Sequence, residues 1–120
     1  MNIEDLKLDP DILKAVNELG FEELTPIQEK SIPEIRRGKD LVGQSSTGSG
    51  KTFAFGLPII EKLGHGGGVQ SLILTPTREL CVQDADALST FAKYTDLKTA
   101  SVYGGVGIEP QIHALKRADI

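Results

Sequence analysis

The chain has 120 residues, of which 39% are hydrophobic and 25% charged, and a formal net charge of −4. That length supports one modest core and the composition is ordinary for a globular domain. The acidic balance excludes a broad basic surface for non-specific nucleic-acid binding, while leaving room for a local site built from a few arginines and backbone N–H groups. A single cysteine, Cys81, excludes an internal disulfide and a multi-cysteine metal site. Apolar runs are too short for a transmembrane helix, and "MNIEDLKLDP" lacks the basic and apolar segments of a secretory signal, so no membrane association and a cytoplasmic location are expected.

The first predicted helix starts with Asp9 as cap and Pro10 at its first position, carries an apolar stripe of Ile12, Leu13, Val16 and Leu19, and stops at Gly20. Thr25, Pro26 and Gln28 open a second helix with the spacing of a capping box. Pro33 is expected to interrupt it, giving one short helix to Ser31 and another from Pro33 to Arg37. The Arg36-Arg37 pair suits a helix C-terminus. "DLVG" at 40–43 reads as a short buried strand, followed by a Gly-Ser loop. The helix after the loop, "KTFAFGLPIIEKL", is expected to bend or restart near Gly56 and Pro58.

"SLIL" at 71–74 reads as the next strand, and Thr77 to Tyr94 as a longer helix with Cys81, Ala85, Leu88 and Ala92 on one side. "KTASVY" reads as a third strand, residues 108–117 as a further helix, and "ADI" at 118–120 as the start of a fourth strand. Strands alternating with helices predict an α/β fold, a parallel sheet with flanking helices. Cys81 is placed in the core, and His65 and His113, which fit no motif, on the surface.

The loop "SSTGSGKT" at 45–52 has the parts of a phosphate cradle. Gly48 and Gly50 permit backbone angles and close approaches that a side chain would block. Lys51 supplies a cation, Thr52 a hydroxyl for magnesium, and the following helix start supplies amides. Ser45 stands where the strict phosphate-loop pattern has glycine. A solvated Gly-Ser linker is the plain alternative, disfavoured by the strand before the loop and the helix after it.

The neighbouring segments narrow the reading. "GFEELTPIQ" at 20–28 resembles the Q motif of DEAD-box ATP-dependent RNA helicases, and "SSTGSGKT" resembles their motif I, which carries a small residue at the position of Ser45. "PTREL" at 76–80 resembles their motif Ia, and "GG" at 104–105 their glycine doublet. These motifs occur in the family's order over nearly the whole chain. The resemblance implies the N-terminal portion of a RecA-like phosphate-loop domain, incomplete at its C-terminal side, with ATP and magnesium as cofactors and RNA as partner.

By that resemblance, Phe21 stacks on adenine and Gln28 reads its donor and acceptor edges. Ser46, Thr47, Gly48, Ser49 and Gly50 wrap the phosphates, Lys51 neutralises them, and Thr52 ligates magnesium. Lys51 and Thr52 are the catalytic candidates. Pro76, Thr77, Arg78, Gly104 and Gly105 are assigned to the RNA backbone, so no sequence preference is expected. Read from the residues alone, Gln28 is equally a capping-box partner, Phe21 a packing residue, Thr77 and Arg78 a helix start, and Gly104-Gly105 a turn.

Two departures stand out. Leu24 occupies a position where the family usually has proline, which predicts a looser turn. Ile3 occupies one where many members have a phenylalanine that ties the Q motif to the domain. The Thr-Pro-Gly-Arg, Asp-Glu-Ala-Asp and Ser-Ala-Thr motifs and the second domain are not among these residues. The expectation is therefore an N-terminal piece of a longer helicase that binds ATP weakly and does not turn it over. The rival readings are a non-catalytic nucleotide-binding or interaction module and another phosphate-loop NTPase.

Overall fold

Prolines and short polar side chains set where the helices begin. The structure, a computed structural model, describes residues 1–120 throughout. After a 3-10 turn over Ile3–Leu6, α1 spans Pro10–Glu18, α2 Pro26–Arg36, α3 Lys51–Lys62, α4 Arg78–Phe91 and α5 Ile108–Leu115. Pro10 and Pro26 sit in the first turns of α1 and α2, where a missing N–H costs little. Thr77 caps α4 by accepting from the Leu80 amide at 3.2 Å. Asp9 precedes α1 without a side-chain cap bond, and its carbonyl instead accepts from the Leu13 amide.

The two expected breaks do not occur. Helix α2 runs unbroken through Pro33, and α3 runs unbroken through Gly56 and Pro58. An interior proline removes a hydrogen bond and crowds the preceding turn. Packing along both helices outweighs that cost, with Ile32 buried on α2 and Phe53, Leu57, Pro58 and Ile60 buried on α3. Arg36 also clamps Glu61 across the helix pair through two hydrogen bonds of 2.9 and 2.8 Å. Gly56 is a contact point rather than a hinge. A Cβ there would stand 2.6 Å from Leu88 Cδ2, so its absence lets α4 approach α3.

The core joins Ile12 and Val16 of α1, Ile32 of α2, Phe53, Leu57 and Ile60 of α3, and Leu88 and Phe91 of α4. Each such side chain contributes about 1.5–3 kcal/mol on burial. Cys81, expected in this core, is only half-buried, with its Sγ 3.8 Å from the Val102 carbonyl. The segment before α2 is tied down despite its two departures. Asn2 and Glu23 form an antiparallel bridge, the Ile3 amide donates to Glu22, and the Leu24 amide donates to Met1. Ile3 and Leu24 are both buried, so apolar packing and backbone pairing hold the turn that was expected to be loose.

The strands are where the structure departs most from expectation. No β-ladder forms at 40–43, 71–74, 98–103 or 118–120, and the Asn2–Glu23 contact is the one β-bridge. The expected parallel sheet is therefore not formed within these residues. A helix satisfies its backbone within itself, whereas a strand needs a neighbour. Burial nonetheless alternates along 71–75, with Ser71, Ile73 and Thr75 half-covered and Leu72 and Leu74 exposed at 79% and 85%. That period of two is the mark of extended chain with one face covered.

Pairing begins at one corner. The Ile120 amide donates to the Lys98 carbonyl at 3.2 Å, and the Ile120 carbonyl accepts from the Ala100 amide at 3.0 Å, in the order of parallel neighbours. The amides of Gln70 and Ser71 donate to the Asp119 carbonyl. The Asp119 carboxylate is buried there, bonded to His65 Nδ1 at 2.8 Å, the Lys98 amide at 2.9 Å and the Gly66 amide at 3.1 Å. The His65 bond, supported by the two amides, holds its carboxyl below the ordinary carboxylate range despite the opposing effect of burial. His65, expected only to be a surface residue, thus has a specific partner. No helix is long and apolar enough to cross a membrane.

Candidate functional site

The loop 45–52 leads directly into α3, whose first residue is Lys51. Two glycines shape it, Gly48 with φ +78° and Gly50 with φ +88°. Gly50 is needed twice over, because a Cβ there would also lie 2.2 Å from Gln28 Nε2. A Cβ on Gly48 would meet nothing within 4 Å, so that side of the loop is open.

The polar groups of the loop are arranged for an anion. The amides of Thr47, Gly48, Gly50, Lys51 and Thr52 have no backbone acceptor. Unpaired amides at a helix start, with the positive end of the helix behind them, favour a phosphate. Lys51 Nζ reaches back across the loop to the Ser45 carbonyl at 2.9 Å. The Ser45 and Ser49 hydroxyls are 2.6 Å apart and close the base of the loop, which is how serine serves at this position. Thr52, in the first turn of α3, donates from Oγ1 to Asp84 Oδ1 on α4 at 3.1 Å. The amides and Lys51 Nζ are donors that fit a phosphate chain, and the Thr52 oxygen keeps lone pairs that fit a magnesium ion.

Gln28 is buried, and its amide is engaged at both poles. Oε1 accepts from the Thr25 amide at 3.0 Å, and Nε2 donates to the Gly50 carbonyl at 3.1 Å. The capping interaction is one-sided, because Thr25 Oγ1 is buried without a hydrogen-bond partner. One Nε2–H and one Oε1 lone pair lie beyond these bonds, so the amide keeps a donor and an acceptor. Phe21 packs edge-on against Phe53 with ring centroids 5.5 Å apart, yet remains 37% exposed. The Q segment and the phosphate loop are therefore in direct contact.

The residues assigned to RNA form a second group. Pro76, Thr77, Arg78, Gly104 and Gly105 are all exposed. The Arg78 guanidinium lies 4.7 Å from the centre of the Tyr103 ring, which brings the start of α4 beside the glycine pair. Tyr103 is fixed in turn by its amide, which donates to Gln111 Oε1 at 2.9 Å. Tyr103, Gln111 and Asp84 were not picked out from the sequence. Tyr103 could have been, as an aromatic next to the glycine pair, whereas only the fold brings Asp84 to Thr52.

Residues 25–120 match the DEAD/DEAH box helicase family. The chain is 50% identical over 111 residues to the ATP-dependent RNA helicase CshA of Listeria monocytogenes, covering 92% of this chain and 21% of that protein. It thus spans about a fifth of the length of this curated relative. Among solved structures, a DEAD box protein from the hyperthermophile Methanococcus jannaschii matches with TM-score 0.94 and 45% identity, over 100% of this chain and 33% of that one. A hypothetical ATP-dependent RNA helicase from Sulfolobus tokodaii gives 0.86 and 42%, over 94% and 33%. The RNA-helicase Prp28 from Chaetomium thermophilum bound to ADP gives 0.84 and 38%, over 97% and 30%. The phosphate loop, the glutamine joined to it and the extent of these matches lead to one conclusion, that the chain belongs to the DEAD/DEAH box helicase family.

Proposed function

We propose that this chain is the nucleotide-holding part of a cytoplasmic ATP-dependent RNA helicase, whose whole protein couples ATP binding and hydrolysis to RNA unwinding or remodelling. The observation that carries the reading is the loop 45–52, with its unpaired amides, Lys51 poised across it and Gln28 bonded to Gly50. Lys51 exchanges the Ser45 carbonyl for phosphate oxygens, and residues 46–50 wrap the phosphate chain. Thr52 offers its oxygen to magnesium, which when bound neutralises phosphate charge. Gln28 turns its remaining donor and acceptor toward adenine while Phe21 offers a ring face. The Prp28 neighbour with ADP supports an adenine nucleotide as ligand.

Pro76, Thr77, Arg78, Gly104 and Gly105 contact RNA phosphates, without sequence preference. In the whole protein the segments at 40–43, 71–74, 98–103 and 118–120 belong to the RecA-like parallel sheet. The Asp-Glu-Ala-Asp motif that the family uses for hydrolysis is not among residues 1–120. Weak binding without turnover is therefore the expected behaviour of this chain.

ATP and GTP binding, and ATP turnover with and without single-stranded RNA, test the reading on the wild type beside Lys51→Ala. Loss of a charged hydrogen bond worth about 1.5–3 kcal/mol should weaken ATP binding at least about tenfold. Equal binding of GTP would favour another phosphate-loop NTPase. RNA-stimulated turnover that Lys51→Ala abolishes would overturn the account of hydrolysis. ATP binding that Lys51→Ala leaves intact would overturn the site.

A further inference from the structure

Asp84 stands out once its partners are counted. It lies in the second turn of α4, half-buried, and forms no salt bridge with any lysine or arginine. Around it, Ile73, Leu74, Ala85 and Leu88 line a cavity of about 300 Å³. A carboxylate there has no counter-charge, so its hydrogen-bond partners matter. The side chain that answers it is Thr52, whose Oγ1 donates to Asp84 Oδ1 at 3.1 Å. Thr52 is also the residue that the proposed function assigns to magnesium.

We infer that Asp84 is a positioning residue that makes nucleotide binding at this loop depend on magnesium. The inference rests on the ATP–magnesium reading given above. A threonine hydroxyl has one proton to donate and two lone pairs. With the proton committed to Asp84, the oxygen is left as an acceptor only, the form a metal requires. The carboxylate places a negative charge one hydrogen bond behind that oxygen, which strengthens it as a ligand, as outer-shell carboxylates do for metal-binding side chains. The same charge disfavours a bare polyphosphate, so Asp84 discriminates between nucleotide with metal and nucleotide without.

The quantity to measure is the ratio of ATP dissociation constants in EDTA and in saturating magnesium. It is compared in the wild type, Asp84→Asn, Asp84→Ala, Thr52→Val and the Thr52→Val/Asp84→Ala double variant, with thermal melting as a check of folding. Asp84→Ala should lower the ratio by about tenfold, in the range found for outer-shell partners. Its affinity in EDTA should be unchanged or tighter. Asp84→Asn keeps an acceptor and loses the charge, so its ratio should fall between those of Asp84→Ala and the wild type. On the Thr52→Val background, Asp84→Ala should cause no further loss of affinity in saturating magnesium.

A purely structural role would weaken binding equally in both buffers and leave the ratio unmoved, which would overturn the inference. So would a ratio that rises when Asp84 is replaced, because the contact would then be holding Thr52 away from the metal. If Asp84→Ala fails to fold, the near-isosteric Asp84→Asn decides, and an unchanged ratio there rejects the role of the charge. ATP binding by the wild type that is the same in both buffers would reject this inference and leave the proposed function standing. No ATP binding in either buffer would reject both.

Discussion

Helices α1 to α4 and the extended segments that link them answer differently to the same composition. On α3, Phe53, Leu57 and Ile60 are buried where that helix packs against α2 and α4. Leu72, Leu74 and Val42 are just as apolar, yet they stand in solvent. The difference lies in where each segment finds hydrogen-bond partners. A helix carries its own and needs only one covered face, whereas extended chain needs a neighbour on each side before its apolar rows can be covered. Apolar character decides what gains from burial, and backbone partnership decides whether burial is reached.

The sharpest way to break this contrast is to make the same kind of substitution in both regions. Leu57→Ala removes a side chain that is 0% exposed and should destabilise the chain by about 2–5 kcal/mol, read by denaturant unfolding. A smaller, conditional effect is expected at Asp119. Its folded pKa lies below the ordinary value, so the stability it contributes is present above the unfolded pKa and is lost as pH falls through the folded one. Unfolding measured from pH 6 downward should show wild-type stability falling below about pH 4, with a flatter profile for Asp119→Asn. The smallest effect belongs to Leu74→Ala. At 85% exposure it should change stability by no more than about 0.5 kcal/mol. A loss there comparable to that of Leu57→Ala would mean that the extended segments are packed in solution.

What was legible in the sequence follows the same division. The starts of α1, α2 and α4 were readable because Pro10, Pro26 and Thr77 act on the turn beside them. Pro33 and Pro58 were misread as breaks because their local cost is visible and the packing of Ile32 and Leu57 that offsets it is not. The phosphate loop was readable as a contiguous stretch. The hold of Gln28 on Gly50 and of Asp84 on Thr52 was not, because each joins residues far apart in the chain. The strands were placed by apolar runs alone, which state a preference for extended chain and name no neighbour.

The carbonyl of Gly50 accepts from both Gln28 Nε2 and the Ala54 amide, each at 3.1 Å. One oxygen therefore joins the first turn of α2 to the first turn of α3. Each donor takes one of the two lone pairs of that oxygen. Gln28 therefore bears directly on the oxygen that closes the first turn of α3. The glutamine before the loop and the helix after it thus meet at a single hydrogen-bond acceptor.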